Sequence, residues 1–114
     1  MATVTRLVLY NNREIGDTGV AALAESEHAT ELRSLSLVSV GLGTDGLRAV
    51  AHSPRLGQLR YLGLESAPLR DEGARLLCES PYLGRITRLA LCNCGIGKKM
   101  TAALRKRFGP ALKI

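Results

Sequence analysis

The sequence predicts an α/β fold: a right-handed solenoid of four strand-turn-helix repeats whose strands align in one curved parallel sheet. Three observations carry that expectation. Leu7-x-Leu9, Leu35-x-Leu37, Leu62-x-Leu64 and Leu89-x-Leu91 recur at spacings of 28, 27 and 27 residues, each with an aliphatic residue three positions earlier, at Val4, Leu32, Leu59 and Ile86. Behind each lies a segment with apolar residues at helical spacing. Acids recur where those segments begin, and Ser53-Pro54 and Ser80-Pro81 where two of them end. A period of this length marks stacked units, none of which can bury its apolar face alone.

Within each period the elements follow in a fixed order. The opening alternation suits a short strand, with Leu59, Leu62 and Leu64 facing inward and Tyr61, Gly63 and Glu65 facing out in the third unit. A turn follows with one buried aliphatic residue, Ile15, Leu42, Leu69 or Ile96, and a helix is under way four residues later at Gly19, Gly46, Gly73 or Met100. The inward helix face reads Val20, Leu23, Ala24; Leu47, Val50, Ala51; Ala74, Leu77, Cys78; and Leu104, Phe108. Asp17, Thr44-Asp45 and Asp71-Glu72 stand at the helix starts, where side-chain oxygens cap free N–H groups and suit the positive end of the dipole. The chain divides into repeats at about 4–31, 32–58, 59–85 and 86–114, forming a single domain over 1–114.

The strings LRSLSLVSVGL (32–42), LRYLGLESAPL (59–69) and ITRLALCNCGI (86–96) resemble the L-x-x-L-x-L-x-x-N/C-x-L segment of leucine-rich repeats. The repeat length with a full helix is similar to the ribonuclease-inhibitor-like class. The tails IGDTG (15–19), LGTDG (42–46) and LRDEG (69–73), with LRKRFG at 104–109, resemble bacterial arrays of planctomycete type. The resemblance implies a protein-binding scaffold without catalysis. Two departures stand out. The Asn/Cys position, whose side chain serves buried backbone groups in the family, reads Asn12, Val40, Ala67 and Cys94, so the two middle turns need water or a rearranged backbone. Repeat one also carries an extra residue between Leu9 and Ile15, leaving Asn11 and Asn12 as alternatives for that position.

Composition narrows the function classes. No apolar run approaches the roughly 20 residues of a spanning helix, and the start, Met1-Ala2-Thr3-Val4-Thr5-Arg6, has no signal-like apolar segment. Three cysteines, an odd number, argue against a disulfide scaffold and for a reduced, cytoplasmic protein. The net charge of +6 is uneven: residues 1–79 hold eight Arg against ten acids, and residues 80–114 hold eight Lys or Arg and no acid. This makes the basic last repeat the origin of a secondary expectation, nucleic-acid or anion binding.

Several motifs lose force when the repeats are aligned. Gly41-Leu42-Gly43-Thr44-Asp45-Gly46 satisfies G-x-G-x-x-G, yet the same register reads Glu14 to Gly19 and Pro68 to Gly73 in neighbouring units, so it is a repeat turn and no dinucleotide cofactor is expected. Gly95 to Thr101 fails the P-loop signature at both ends. What distinguishes that turn is Lys98-Lys99 where other repeats place acids, a candidate anion site at a helix N-terminus. Cys92-x-Cys94, Cys78, His28 and His52 do not form a four-ligand set, so no metal is expected, and no nucleophile has a base placed beside it by motif.

The residues alternating with the buried leucines are expected to line the concave side as the partner-binding face: Arg6, Val8, Tyr10, Ser34, Ser36, Val38, Tyr61, Glu65, Arg88 and Cys92. Tyr and Arg are enriched at interface hot spots, and a column of Ser36, Gly63 and Ala90 leaves room for a partner's side chain. The first helix, Thr18 to Ala24, reads like an interior repeat, so the N-terminal edge is expected to meet a partner, a second copy or further repeats, the last making the chain a structural module of a larger protein.

Overall fold

The structure, a computed structural model, describes residues 5–114; Val4, placed in the core by the repeat pattern, lies outside them. Strands β1 (Arg6–Tyr10), β2 (Ser34–Val38), β3 (Tyr61–Gly63) and β4 (Arg88–Ala90) alternate with helices α1 (Gly16–Glu25), α2 (Thr44–Ala51), α3 (Arg70–Glu79) and α4 (Lys98–Phe108). All the strands pair in parallel in sequence order, with Leu7, Leu35, Leu62 and Leu89 side by side. One strand was not expected. After α4 the chain forms a 3₁₀ turn at Gly109–Ala111 and then β5 (Leu112–Lys113), which pairs with β4 and covers the C-terminal edge of the sheet.

The core is aliphatic, as the scarcity of aromatic residues requires. Leu35, Leu37, Leu62, Leu64, Leu89 and Leu91 from the strand segments meet Val20, Leu47, Val50, Leu77 and Leu104 from the helices, all buried. At the N-terminal edge the same positions, Leu7, Leu9 and Leu23, are only half-buried, because no strand or helix among the described residues covers them.

Helix ends are served by neighbouring units. Asp17 and Asp71 cap no N–H of their own helices; they lie within the first turn and reach sideways. Gly43 N donates to Asp17 Oδ1 at 2.6 Å and Gly97 N to Asp71 Oδ1 at 2.8 Å, so each carboxylate caps the helix of the following unit. Asp45 instead accepts from Arg48 at 2.9 Å. At the other helix ends, Ser53 Oγ donates to Ala24 O at 2.6 Å and Ser80 Oγ to Ala51 O at 2.5 Å, each reaching back one unit. Gly46 shows why the helices can approach so closely: a Cβ there would stand 2.5 Å from Asp17 Oδ1 and 3.1 Å from its Cα.

The turns alternate in geometry. Gly16 and Arg70 have φ of +58° and +56°, and their N–H groups donate to Val40 O and Cys94 O in the following unit. Gly43 and Gly97, at the same repeat position, have negative φ and use the aspartates instead. An arginine in the left-handed region is strained by roughly 1–2 kcal/mol. Arg70→Gly is therefore expected to raise stability by about 0.5–1 kcal/mol after glycine's own entropic cost, read as a higher urea midpoint. A lower midpoint would mean that packing of the Arg70 stem near Gly95 outweighs the strain.

The left-handed residue just after each strand settles the register of the first turn. Asn11, Ser39, Ser66 and Asn93 all have φ between +53° and +59°, so Asn12 aligns with Val40, Ala67 and Cys94, and the extra residue falls in the turn at Arg13-Glu14. At the middle turns Gly16 N donates to Val40 O, as Arg70 N does to Cys94 O in the last turn, and Leu69 N donates to Ala67 O.

Candidate functional site

The strand alternation builds a face of side chains opposite the helices. Pairing aligns Arg6, Ser34, Tyr61 and Arg88 in one row and Val8, Ser36, Gly63, Ala90 and Lys113 in the next. Tyr10 and Val38 pair in a third row, with Glu65 and Cys92 at the corresponding repeat positions. Arg6, Val8, Ser34, Ser36, Tyr61 and Arg88 line a shallow open depression of about 280 Å³. Val8 is 47% exposed and Tyr10 65%, both on β1 at the end of the described sheet.

Two details differ from the sequence reading. The small column offers less room than expected, since Gly63 and Ala90 are buried and the Tyr61 hydroxyl lies 2.6 Å from where a Cβ on Gly63 would stand. Tyr61 thus lies along the sheet over Gly63, where a side chain would have to move the end of the tyrosine ring aside. Lys113, absent from the expected face, joins it through β5. Its only sequence signal was Leu112, which falls out of the 27-residue register.

At the N-terminus of α4, one of the backbone N–H groups is already taken by the preceding unit. The Gly97 N–H donates to the Asp71 carboxylate, with Lys98 and Lys99 exposed alongside. The glycine-rich turn at 41–46 is occupied in the same way, by Asp17 on Gly43 N, and Leu42 is buried in the core.

The cysteines do three different things. Cys94 is buried and its Sγ donates to Leu64 O at 3.0 Å, reaching back to the preceding unit. Asn12, at the same position in the first unit, is exposed. Burial pushes the Cys94 and Cys78 thiols above their ordinary pKa, whereas Cys92 is exposed on the sheet face. The thiolate is the reactive form, and raising a thiol pKa depletes it at neutral pH. A thiol reagent at neutral pH should therefore label Cys92 rapidly, Cys78 slowly and Cys94 only on unfolding. Labelling of Cys94 at the rate of Cys92 would mean that the turn opens freely. His28 and His52 are exposed, and His28 lies 3.7 Å from Glu27, a contact wholly in solvent.

A leucine-rich repeat family model matches residues 1–24, covering the first strand and most of the first helix. This supports a leucine-rich repeat protein, and the parallel sheet alternating with helices is consistent with such a solenoid. No curated protein matches the chain. Leucine-rich repeat domains generally mediate protein–protein interaction and are typically non-catalytic. No helix among the described residues is long and apolar enough to cross a membrane.

Proposed function

We propose that residues 1–114 form one right-handed, four-repeat domain of the ribonuclease-inhibitor-like class, similar to bacterial arrays, acting as a non-catalytic cytoplasmic scaffold that binds a protein partner on its sheet face. The observation that carries this reading is the exposure of Val8 and Tyr10 beside Arg6, Tyr61 and Arg88 on one hydrogen-bonded sheet. Apolar and aromatic groups ringed by arginine, already fixed by the strands, lose little entropy on binding. The half-buried leucines of β1 favour a second contact at the N-terminal edge, with a second copy or further repeats.

The test is site-specific photo-crosslinking in a lysate of the source organism. A crosslinking side chain at Ser36 or Tyr10 should yield a discrete adduct, and the same group at Arg75, exposed on α3, should not. Equal adducts from both faces, or none from the sheet, would overturn the assignment.

A further inference from the structure

The fold gathers arginines that the sequence keeps apart. Arg6, Arg33, Arg60, Arg85 and Arg88 come from four different units, and pairing brings them to the edge of the sheet where the strands begin. Arg33 and Arg60 precede adjacent strands, Arg6 and Arg88 stand in the row with Tyr61, and Arg85 lies in the turn leading into β4. Neighbouring strands are about 4.8 Å apart, so the group spans roughly 14 Å from β1 to β4.

All five arginines are exposed, and none is in an ion pair with a carboxylate among the described residues. Two share a single neutral acceptor: Gln58 Oε1 receives Arg33 Nη1 at 3.3 Å and Arg85 Nη1 at 2.9 Å. The amide draws two guanidiniums together without neutralising either. Most carboxylates lie elsewhere, with Asp17 and Glu25 in α1, Asp45 in α2, and Asp71, Glu72 and Glu79 in α3. The excess charge of residues 80–114 in the linear sequence therefore understates the basicity of this edge, which draws three of its arginines from residues 1–79.

We propose that this arginine rim binds a short acidic segment of a protein partner, pairing its guanidiniums with aspartate or glutamate carboxylates. The proposal rests on the sheet-face interaction above and names the chemistry of the partner. Arginine suits the task because its fork accepts a carboxylate through two parallel hydrogen bonds. A carboxylate entering beside Gln58 relieves the repulsion between Arg33 and Arg85, and their shared acceptor has already restricted them. Two features favour a peptide over a nucleic acid. Tyr61, which lies over Gly63, is the one aromatic ring in the arginine row, and a single ring is not the succession of stacking platforms that single-stranded nucleic acid uses. Glu31 at the entry to β2 and Glu65 beyond β3 bound the basic strip, so it suits a short run of carboxylates better than a continuing phosphate backbone.

Binding of a fluorescent glutamate oligopeptide to the full chain, followed by anisotropy at low and physiological salt, tests this directly. The peptide should bind at low salt and weaken as salt rises. Arg33→Glu/Arg60→Glu/Arg85→Glu should weaken it by at least about tenfold, and Arg75→Glu/Arg105→Glu/Lys106→Glu, the same charge change on the helices, by no more than about twofold. Gln58→Glu supplies an internal carboxylate with little disturbance of shape; it should raise the melting temperature while weakening the peptide by several-fold. No peptide binding, equal loss in both triple variants, or tighter binding of single-stranded DNA of equal charge would overturn the proposal. If the Ser36 crosslink survives in the rim triple variant, the sheet face remains a binding surface and the acidic-segment assignment alone falls.

Discussion

Leu62→Ala is expected to cost about 2–5 kcal/mol, a large share of the stability of a domain this small. Leu62 is wholly buried, held between Leu35 and Leu89 by strand pairing, and the neighbouring strands cannot collapse into the space it leaves without breaking their own register. Tyr61→Ala, one residue away, provides the contrast. Its ring is half-buried over Gly63, so truncation exposes a strip of backbone and costs roughly 1 kcal/mol. Chemical denaturation of both variants checks the alternation that defines the binding face. Equal destabilisation would place Tyr61 in the core and dissolve that face.

The leucine alternation was legible because it encodes burial, and burial has the period of the strand or helix. Contacts between units were much less so. Asp17 and Asp71 look like caps for their own helices because they stand at helix starts; only the lateral spacing of the stack brings them to Gly43 and Gly97. Ser26, Ser53 and Ser80 recur at 27 residues, a signal that was present, but the acceptors of Ser53 and Ser80 are main-chain carbonyls, which leave no mark on a sequence. Asp45 departs from the pattern because the unit it faces turns through Arg70 in a left-handed conformation whose N–H already serves Cys94 O.

The candidate face was legible in its register and obscured in its charge. Counting charges along the chain assigned basicity to the last unit, yet Arg6, Arg33 and Arg60 belong to a stretch of net negative charge. They become neighbours of Arg85 and Arg88 only when the strands stack. Asp71 beside Lys98 and Lys99 was hidden for a related reason: the carboxylate on Gly97 N comes from the preceding unit, 26 residues earlier.

Arg107→Ala is expected to cost about 2–3 kcal/mol, although the residue reads in sequence as part of a solvated basic cap. Position 107 continues the series Ser26, Ser53, Ser80, and Cys78 O continues the acceptor series Ala24 O, Ala51 O. Arg107 Nη1 donates to Cys78 O at 2.6 Å and to Leu77 O at 2.5 Å, Nη2 donates to Ser80 O, and the guanidinium lies 5.0 Å from the Phe108 ring centre. Charged hydrogen bonds contribute about 1.5–3 kcal/mol each when well shielded; partial exposure here reduces the sum, and truncation leaves the C-terminal carbonyls of α3 to water. The side chain must be long because α4 continues to Phe108, so position 107 lies on a helix, whereas Ser53 and Ser80 lie beyond theirs. Arg107→Ser, though it restores the residue type of the series, should then be as damaging as alanine, and Arg107→Lys should fall between, keeping the charge and reach but losing the fork. A serine variant as stable as the parent would show that the position, and not the length of the arginine, satisfies the end of α3.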